Sequence, residues 1–168
     1  LKTKHFINGI KWIGLVALML IFISWWGNKT ISTSAPELSI NETDTNGQPL
    51  SADSLKGKWV ILNVWATWCP PCRLEMPGLE RIHNPTDVVV IGISTDNPED
   101  LYEFFKTHTI EFPVILPSSG FMAWLNQIHP IEKLPTSFVF NWQGKLVKIQ
   151  EGFYGDWQIR WDKFWYDD

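Results

Sequence analysis

Cysteine is almost missing from this chain. Its 168 residues contain two, Cys69 and Cys72, and no second Cys-x-x-Cys. Histidine is sparse as well, and His5, His83, His108 and His129 are scattered. A zinc site built on the two cysteines would need two further ligands, and none stand paired. Excess positive charge is also lacking. Lys and Arg number 14 against 18 Asp and Glu, a formal net charge of −4 that speaks against nucleic acid as a partner. Tryptophan alone is abundant, at eleven. The length suits one domain of ordinary size behind a short N-terminal segment.

The two cysteines sit in Trp65-Ala66-Thr67-Trp68-Cys69-Pro70-Pro71-Cys72. An apolar run, Trp59 to Trp65, leads in and reads as a buried strand, and a helical pattern follows. Cys69 is therefore expected at a helix N-terminus, where unpaired N–H groups and the helix dipole favour an anion. A thiolate is such an anion and is the nucleophile of disulfide exchange, and Cys72 stands ready to resolve a mixed disulfide. A purely structural bridge is the competing reading. Closing so short a loop restricts the unfolded chain by only roughly 2 kcal/mol, which makes it a poor use of the chain's only cysteines. A redox-active Cys69–Cys72 dithiol, needing no metal and no cofactor, is the expectation.

Lys2, Lys4 and Lys11 precede an uncharged stretch from Trp12 to Asn28 whose centre, Ile13 to Ile23, is almost purely apolar. A membrane span takes about 20 apolar residues, with about 17 as a lower bound. Trp12 and the pair Trp25-Trp26 stand at its two ends, as interfacial aromatics do. Ser32-Thr33-Ser34-Ala35 is a weak cleavage site, so a single transmembrane helix is favoured over a signal peptide. The lysines ahead of the span place the N-terminus in the cytoplasm. The domain would then lie outside the cytoplasmic membrane, where disulfides persist. The expected division is residues 1–34 as anchor (or signal peptide) and linker, and 35–168 as the catalytic domain.

Within that domain, Leu38-Ser39-Ile40, Asn46-Gly47 and Pro49-Leu50 suggest a hairpin. After the cysteines, Leu74, Met76, Leu79 and Ile82 suggest the inner face of a helix that Pro77 interrupts. Asp87 to Ile93 reads as a buried strand. Asn97-Pro98 reads as the start of a helix with Leu101, Phe104, Phe105 and His108 inward, His108 serving as a cation at its end. A short strand over 112–116 and a short helix over 121–128 follow. Leu134-Pro135-Thr136 opens another strand, and Asn141 to Gly144 turns into its partner, 146–149. A last helix from Gly155 carries Trp157, Trp161, Phe164 and Trp165 at i, i+4, i+7 and i+8, expected to pack on the sheet.

The motif from Trp65 through Cys72, continued by Arg73, Glu75, Met76 and Pro77, resembles the thioredoxin superfamily, specifically its membrane-anchored TlpA/ResA-like branch. The likeness covers roughly Ala35 to Trp165. It implies an α/β fold: a thioredoxin-like three-layer sandwich with an N-terminal β-hairpin and a central αβ insertion, behind one transmembrane helix. Peroxiredoxins are similar in topology but carry a Thr three residues before the reactive cysteine, where Ala66 precedes Cys69 here. The resemblance implies that Pro135 is the cis-proline beside the dithiol. Pro135, with Leu134, Trp68, Pro70 and Pro71, would then hold an extended substrate chain. It also implies a role for Glu75, one helical turn beyond Cys72, as acid and base. Thioredoxins keep an Asp six residues before the first cysteine, and here Asn63 stands there and cannot titrate.

The implied activity is exchange with a disulfide-bonded or thiol-containing protein. It would run as a reductase supplied by a membrane thiol electron donor, and often serves cytochrome c haem attachment. This chain has His129 to Leu134 where the cytochrome c subgroup carries Gly-Val-x-Gly-x-Pro-Glu. A disulfide oxidase of the same fold, and a non-catalytic chaperone or metal-binding module, are the alternatives.

Overall fold

The computed structural model describes residues 35–166, all within one compact unit, Ala35–Asp168. The expected membrane span lies outside the described residues. Among those described, no helix is long and apolar enough to cross a membrane.

Five strands form the central sheet in the order β5-β4-β3-β6-β7: β3 (Trp59–Trp65), β4 (Val88–Ser94), β5 (Val114–Ile115), β6 (Thr136–Phe140) and β7 (Leu146–Glu151). The β3, β4 and β5 strands run parallel, and β6 is antiparallel to both β3 and β7. Every residue of β3 and β4 is buried, which is why both read as near-continuous apolar runs. Alternation splits them between two cores. Trp59, Ile61 and Trp65 face one side with Val88, Val90 and Val139. Val60, Leu62 and Val64 face the other with Ile91, Ile93, Phe138 and Phe140.

The first core is covered by helices α1 (Pro70–Ile82), α2 (Pro98–Phe105) and α4 (Asp156–Tyr166), through Met76, Leu79, Leu101, Phe104 and Ile159. The second is covered by α3 (Ser119–Ile128), through Phe121 and Leu125, and by Ile40 and Leu55 from the N-terminal part of the domain. This is the three-layer α/β arrangement that the resemblance implied, with β5 and α3 as the central insertion.

Four details differ from expectation. The hairpin pairs β1 (Asn41–Thr43) with β2 (Pro49–Ser51). Residues 36–38 lie instead against the β6–β7 turn, where Leu38 N–H donates to the Gly144 carbonyl (2.8 Å) and Leu146 N–H to that of Pro36 (3.0 Å). On α1 the inward residues are Cys72, Glu75, Met76, Gly78 and Leu79, while Leu74 is exposed. Leu74 is only two residues from Met76, a spacing that cannot share a helix face. His108 lies beyond the end of α2, its ring stacked on Phe104 with centroids 4.1 Å apart. Its Nε2 is 3.2 Å from Arg73 Nη2. Its Nδ1 lies 3.3 Å from the Phe104 carbonyl, and the residue is exposed rather than on the inner face of the helix.

The fourth difference is α4. Trp157, Trp161, Phe164 and Trp165 are all exposed, by 60% or more. The helix docks through Ile159 and Asp162 instead. Asp162 Oδ2 accepts from the Tyr154 hydroxyl (2.6 Å) and from Lys148 Nζ (2.7 Å). A carboxylate held by the buried Tyr154 and the partly exposed Lys148 fixes which face turns inward, and the aromatic stripe is left outside.

Candidate active site

The site begins where β3 ends. Asp96, just after β4, holds the connecting loop: its carboxylate accepts from Thr67 N–H (2.8 Å), Thr67 Oγ1 (2.9 Å) and Ser94 Oγ (2.8 Å). Cys69 then caps α1 from an extended backbone conformation. Pro70 and Pro71 fill the first two helical positions, where an N–H would have no intrahelical acceptor. The first amide facing back is therefore that of Cys72, which donates to Cys69 Sγ at 3.3 Å. The two sulfurs are bonded, with Cα atoms 5.3 Å apart, so the structure shows the oxidised state. Cys69 keeps 3% exposure and Cys72 none.

Glu75 lies one turn further on, on the same buried face of α1, and is wholly buried. Its Oε1 accepts from Asn63 Nδ2 (2.7 Å) and its Oε2 from the main-chain N–H of Tyr154 (2.7 Å). Asn63 Nδ2 also donates to Ser137 Oγ (3.0 Å). Burial pushes the carboxyl up from 4.5 to about 7, against the opposing pull of the hydrogen bonds from Tyr154 and Asn63. Glu75 can thus exist in either protonation state near neutrality, as an acid–base group must.

A groove of about 460 Å³ runs beside Cys69, lined by Trp68, Pro70, Pro71, Met122, Asn126 and Leu134, among others. Trp68 stands 70% exposed at its edge. The Leu134–Pro135 peptide bond is cis. Pro135 itself is buried, and its carbonyl accepts from Gly152 N–H (2.8 Å). Leu134 is the half-buried neighbour that reaches the groove, and its main-chain N–H and carbonyl have no hydrogen-bond partner among the described residues. The structure therefore gathers Trp68, Cys69, Pro70, Pro71 and Leu134 at one opening, sets Cys72 and Glu75 beneath, and places Pro135 behind Leu134.

Three groups on Glu75 or its partner were not singled out for this role in the sequence. Asn63 drew notice only as a residue unable to titrate, Ser137 lies two residues beyond Pro135, and Tyr154 carries no local signal at all.

The description of the AhpC/TSA family matches residues 31–149. The chain belongs to that family. Among its relatives, the thiol-disulfide oxidoreductase ResA of Bacillus subtilis (strain 168) is 30% identical over 131 residues, covering 75% of this chain and 71% of that protein. A thiol:disulfide interchange protein of the thioredoxin family from Chlorobium tepidum TLS is 28% identical with a TM-score of 0.66, covering 76% of this chain and 92% of that structure. StoA from Bacillus subtilis is 25% identical with a TM-score of 0.63, covering 77% and 98%. As a member of the AhpC/TSA family with these relatives, the chain is a thiol–disulfide oxidoreductase of the ResA and StoA type, and Cys69 and Cys72 are its close sulfur pair.

Proposed function

We propose that this domain is a disulfide reductase acting on protein substrates at the outer side of the cytoplasmic membrane. The observation that carries the reading is the position of Cys69: at the cap of α1, at the edge of an open groove, above a buried Cys72 and Glu75. In the reduced protein, the Cys72 N–H and the α1 dipole that now face a bonded sulfur would face a thiolate and favour it. Cys69 Sγ attacks one sulfur of the substrate disulfide, forming a mixed disulfide and releasing the other substrate sulfur as a thiolate. Cys72 must then lose its thiol proton, and the ionised Glu75 receives it. Cys72 Sγ attacks Cys69 Sγ, the second substrate thiolate leaves, and the bonded pair seen in the structure results. Two electrons pass from dithiol to substrate, and a thiol donor on the membrane side restores the pair.

The groove supports a peptide as the bound species. Leu134, which lines the same groove as Cys69, offers a main-chain N–H and carbonyl that are unpaired among the described residues, the means by which an extended chain is held in β-type pairing. Pro135 shapes that edge, and Trp68, Pro70 and Pro71 provide apolar wall. The location rests on the Trp12–Asn28 segment with its preceding lysines, read from the sequence. An insulin-reduction assay with a Cys69→Ser control tests the activity. The wild type should reduce insulin and the variant should not. Equal rates would leave a binding module in place of an enzyme.

A further inference from the structure

The β3 residue Asn63 points toward α1, in step with Trp59, Ile61 and Trp65. It is 1% exposed in a strand that is otherwise apolar. A buried amide is costly unless its hydrogens are used. Both Nδ2 hydrogens are used here, one on Glu75 Oε1 (2.7 Å) and one on Ser137 Oγ (3.0 Å). Asn63 and Ser137 are direct partners across the β3–β6 ladder, and Ser137 is two residues beyond Pro135. One side chain therefore ties the helix that carries Cys72 and Glu75 to the strand that follows the groove-lining Leu134.

We propose that Asn63 is a positioning residue for the exchange reaction, its amide fixing the Glu75 carboxyl between α1 and β6 and stabilising the carboxylate that takes the Cys72 proton. The proposal rests on the acid–base role given to Glu75 above. Asn63 touches no reacting sulfur and acts only through Glu75. An N–H donor favours the charged form of the carboxylate it meets, and a second acid in its place would oppose it. The other titratable groups packed around this point are already engaged or stand on the same helix. Asp162 is taken by Lys148 and the Tyr154 hydroxyl, Asp156 pairs with Arg81, and Cys72 is one turn away on α1.

The test uses the full chain as wild type, Asn63→Leu, Asn63→Asp and Glu75→Gln. The infrared carbonyl band of the protonated Glu75, identified by its loss in Glu75→Gln, is followed against pH in the oxidised protein. In parallel, the rate at which Cys72 resolves a preformed mixed disulfide is followed against pH. Removing one charge-assisted hydrogen bond should move the band's midpoint up by about one pH unit or more. At pH 7 the Asn63→Leu chain should then resolve the mixed disulfide roughly fivefold more slowly and recover above the new midpoint. Asn63→Asp, the same size as the native residue, should also shift upward and guards against misfolding of the leucine variant. A wild-type midpoint in both Asn63 variants, or a slowing that is equal at every pH, would overturn the proposal. A wild-type rate profile in Glu75→Gln would instead defeat the role of Glu75, and the proposal with it, even where the band had moved as expected.

Discussion

Replacing Glu75 by Gln should change the pH dependence of folding stability by an amount the structure fixes. In the folded protein the carboxyl titrates at about 7, against 4.5 for the ordinary group. Between those values the folded state holds a proton that the unfolded chain has lost, so stability falls as pH rises through this window. The contribution is fully present below the unfolded value and gone above about pH 7. At about 1.4 kcal/mol per pH unit, the window amounts to about 3 kcal/mol. Gln stays neutral throughout and escapes this loss. It has one acceptor oxygen for the two donors, Asn63 Nδ2 and Tyr154 N–H, so it brings a separate cost that does not vary with pH. The difference in unfolding free energy, variant minus wild type, should therefore rise by about 3 kcal/mol from pH 4 to pH 8. Urea unfolding of the oxidised proteins measures it, since the bonded cysteines do not titrate and the remaining groups cancel in the difference. A flat difference would refute the reasoning, because it would mean that burial does not hold the proton on Glu75.

Other consequences are local. At Gly92 an added Cβ would lie 2.9 Å from Trp65 Nε1, 3.0 Å from Phe112 Cε2 and 3.3 Å from Val114 Cγ2. Gly92→Ala should therefore lower stability by about 1–3 kcal/mol in thermal unfolding, and an unchanged Tm would count against the packing described. Tyr154→Phe removes the hydroxyl that donates to Asp162 but keeps the main-chain N–H on Glu75. It should cost about 1–2 kcal/mol and leave the Glu75 titration where it was. Trp161→Ser should change stability by no more than about 0.5 kcal/mol, as at an exposed site. A loss of about 3–5 kcal/mol, as for a buried Trp, would restore the view that this stripe packs inward.

The layout of the site was legible in the sequence because its signals are local. The buried β3, the Cys-x-x-Cys at a helix start, and the turn from Cys72 to Glu75 all follow from spacing within one stretch. So did the place of Pro135, through the family pattern around it. What escaped depends on partners far along the chain. Tyr154 reaches Glu75 across a separation of 79 residues, and Ser137 reaches Asn63 across 74. No periodicity encodes such contacts. The α4 error has a related cause. Its most apolar stripe at helical spacing is not the face that docks, because a buried carboxylate, Asp162, is held by Lys148 and Tyr154 and decides the rotation of the helix. A pattern count weighs apolar residues and cannot weigh a polar anchor whose partners lie elsewhere.

The reduction potential of the Cys69–Cys72 pair, measured on the reduced and oxidised protein across a glutathione redox series, tests the central claim most directly. The account predicts a pair more reducing than the glutathione couple, below about −220 to −260 mV, as a donor of electrons to protein disulfides must be. A value near about −120 mV, at the strongly oxidising end of the thioredoxin-fold range, would contradict it and make the same site an oxidase.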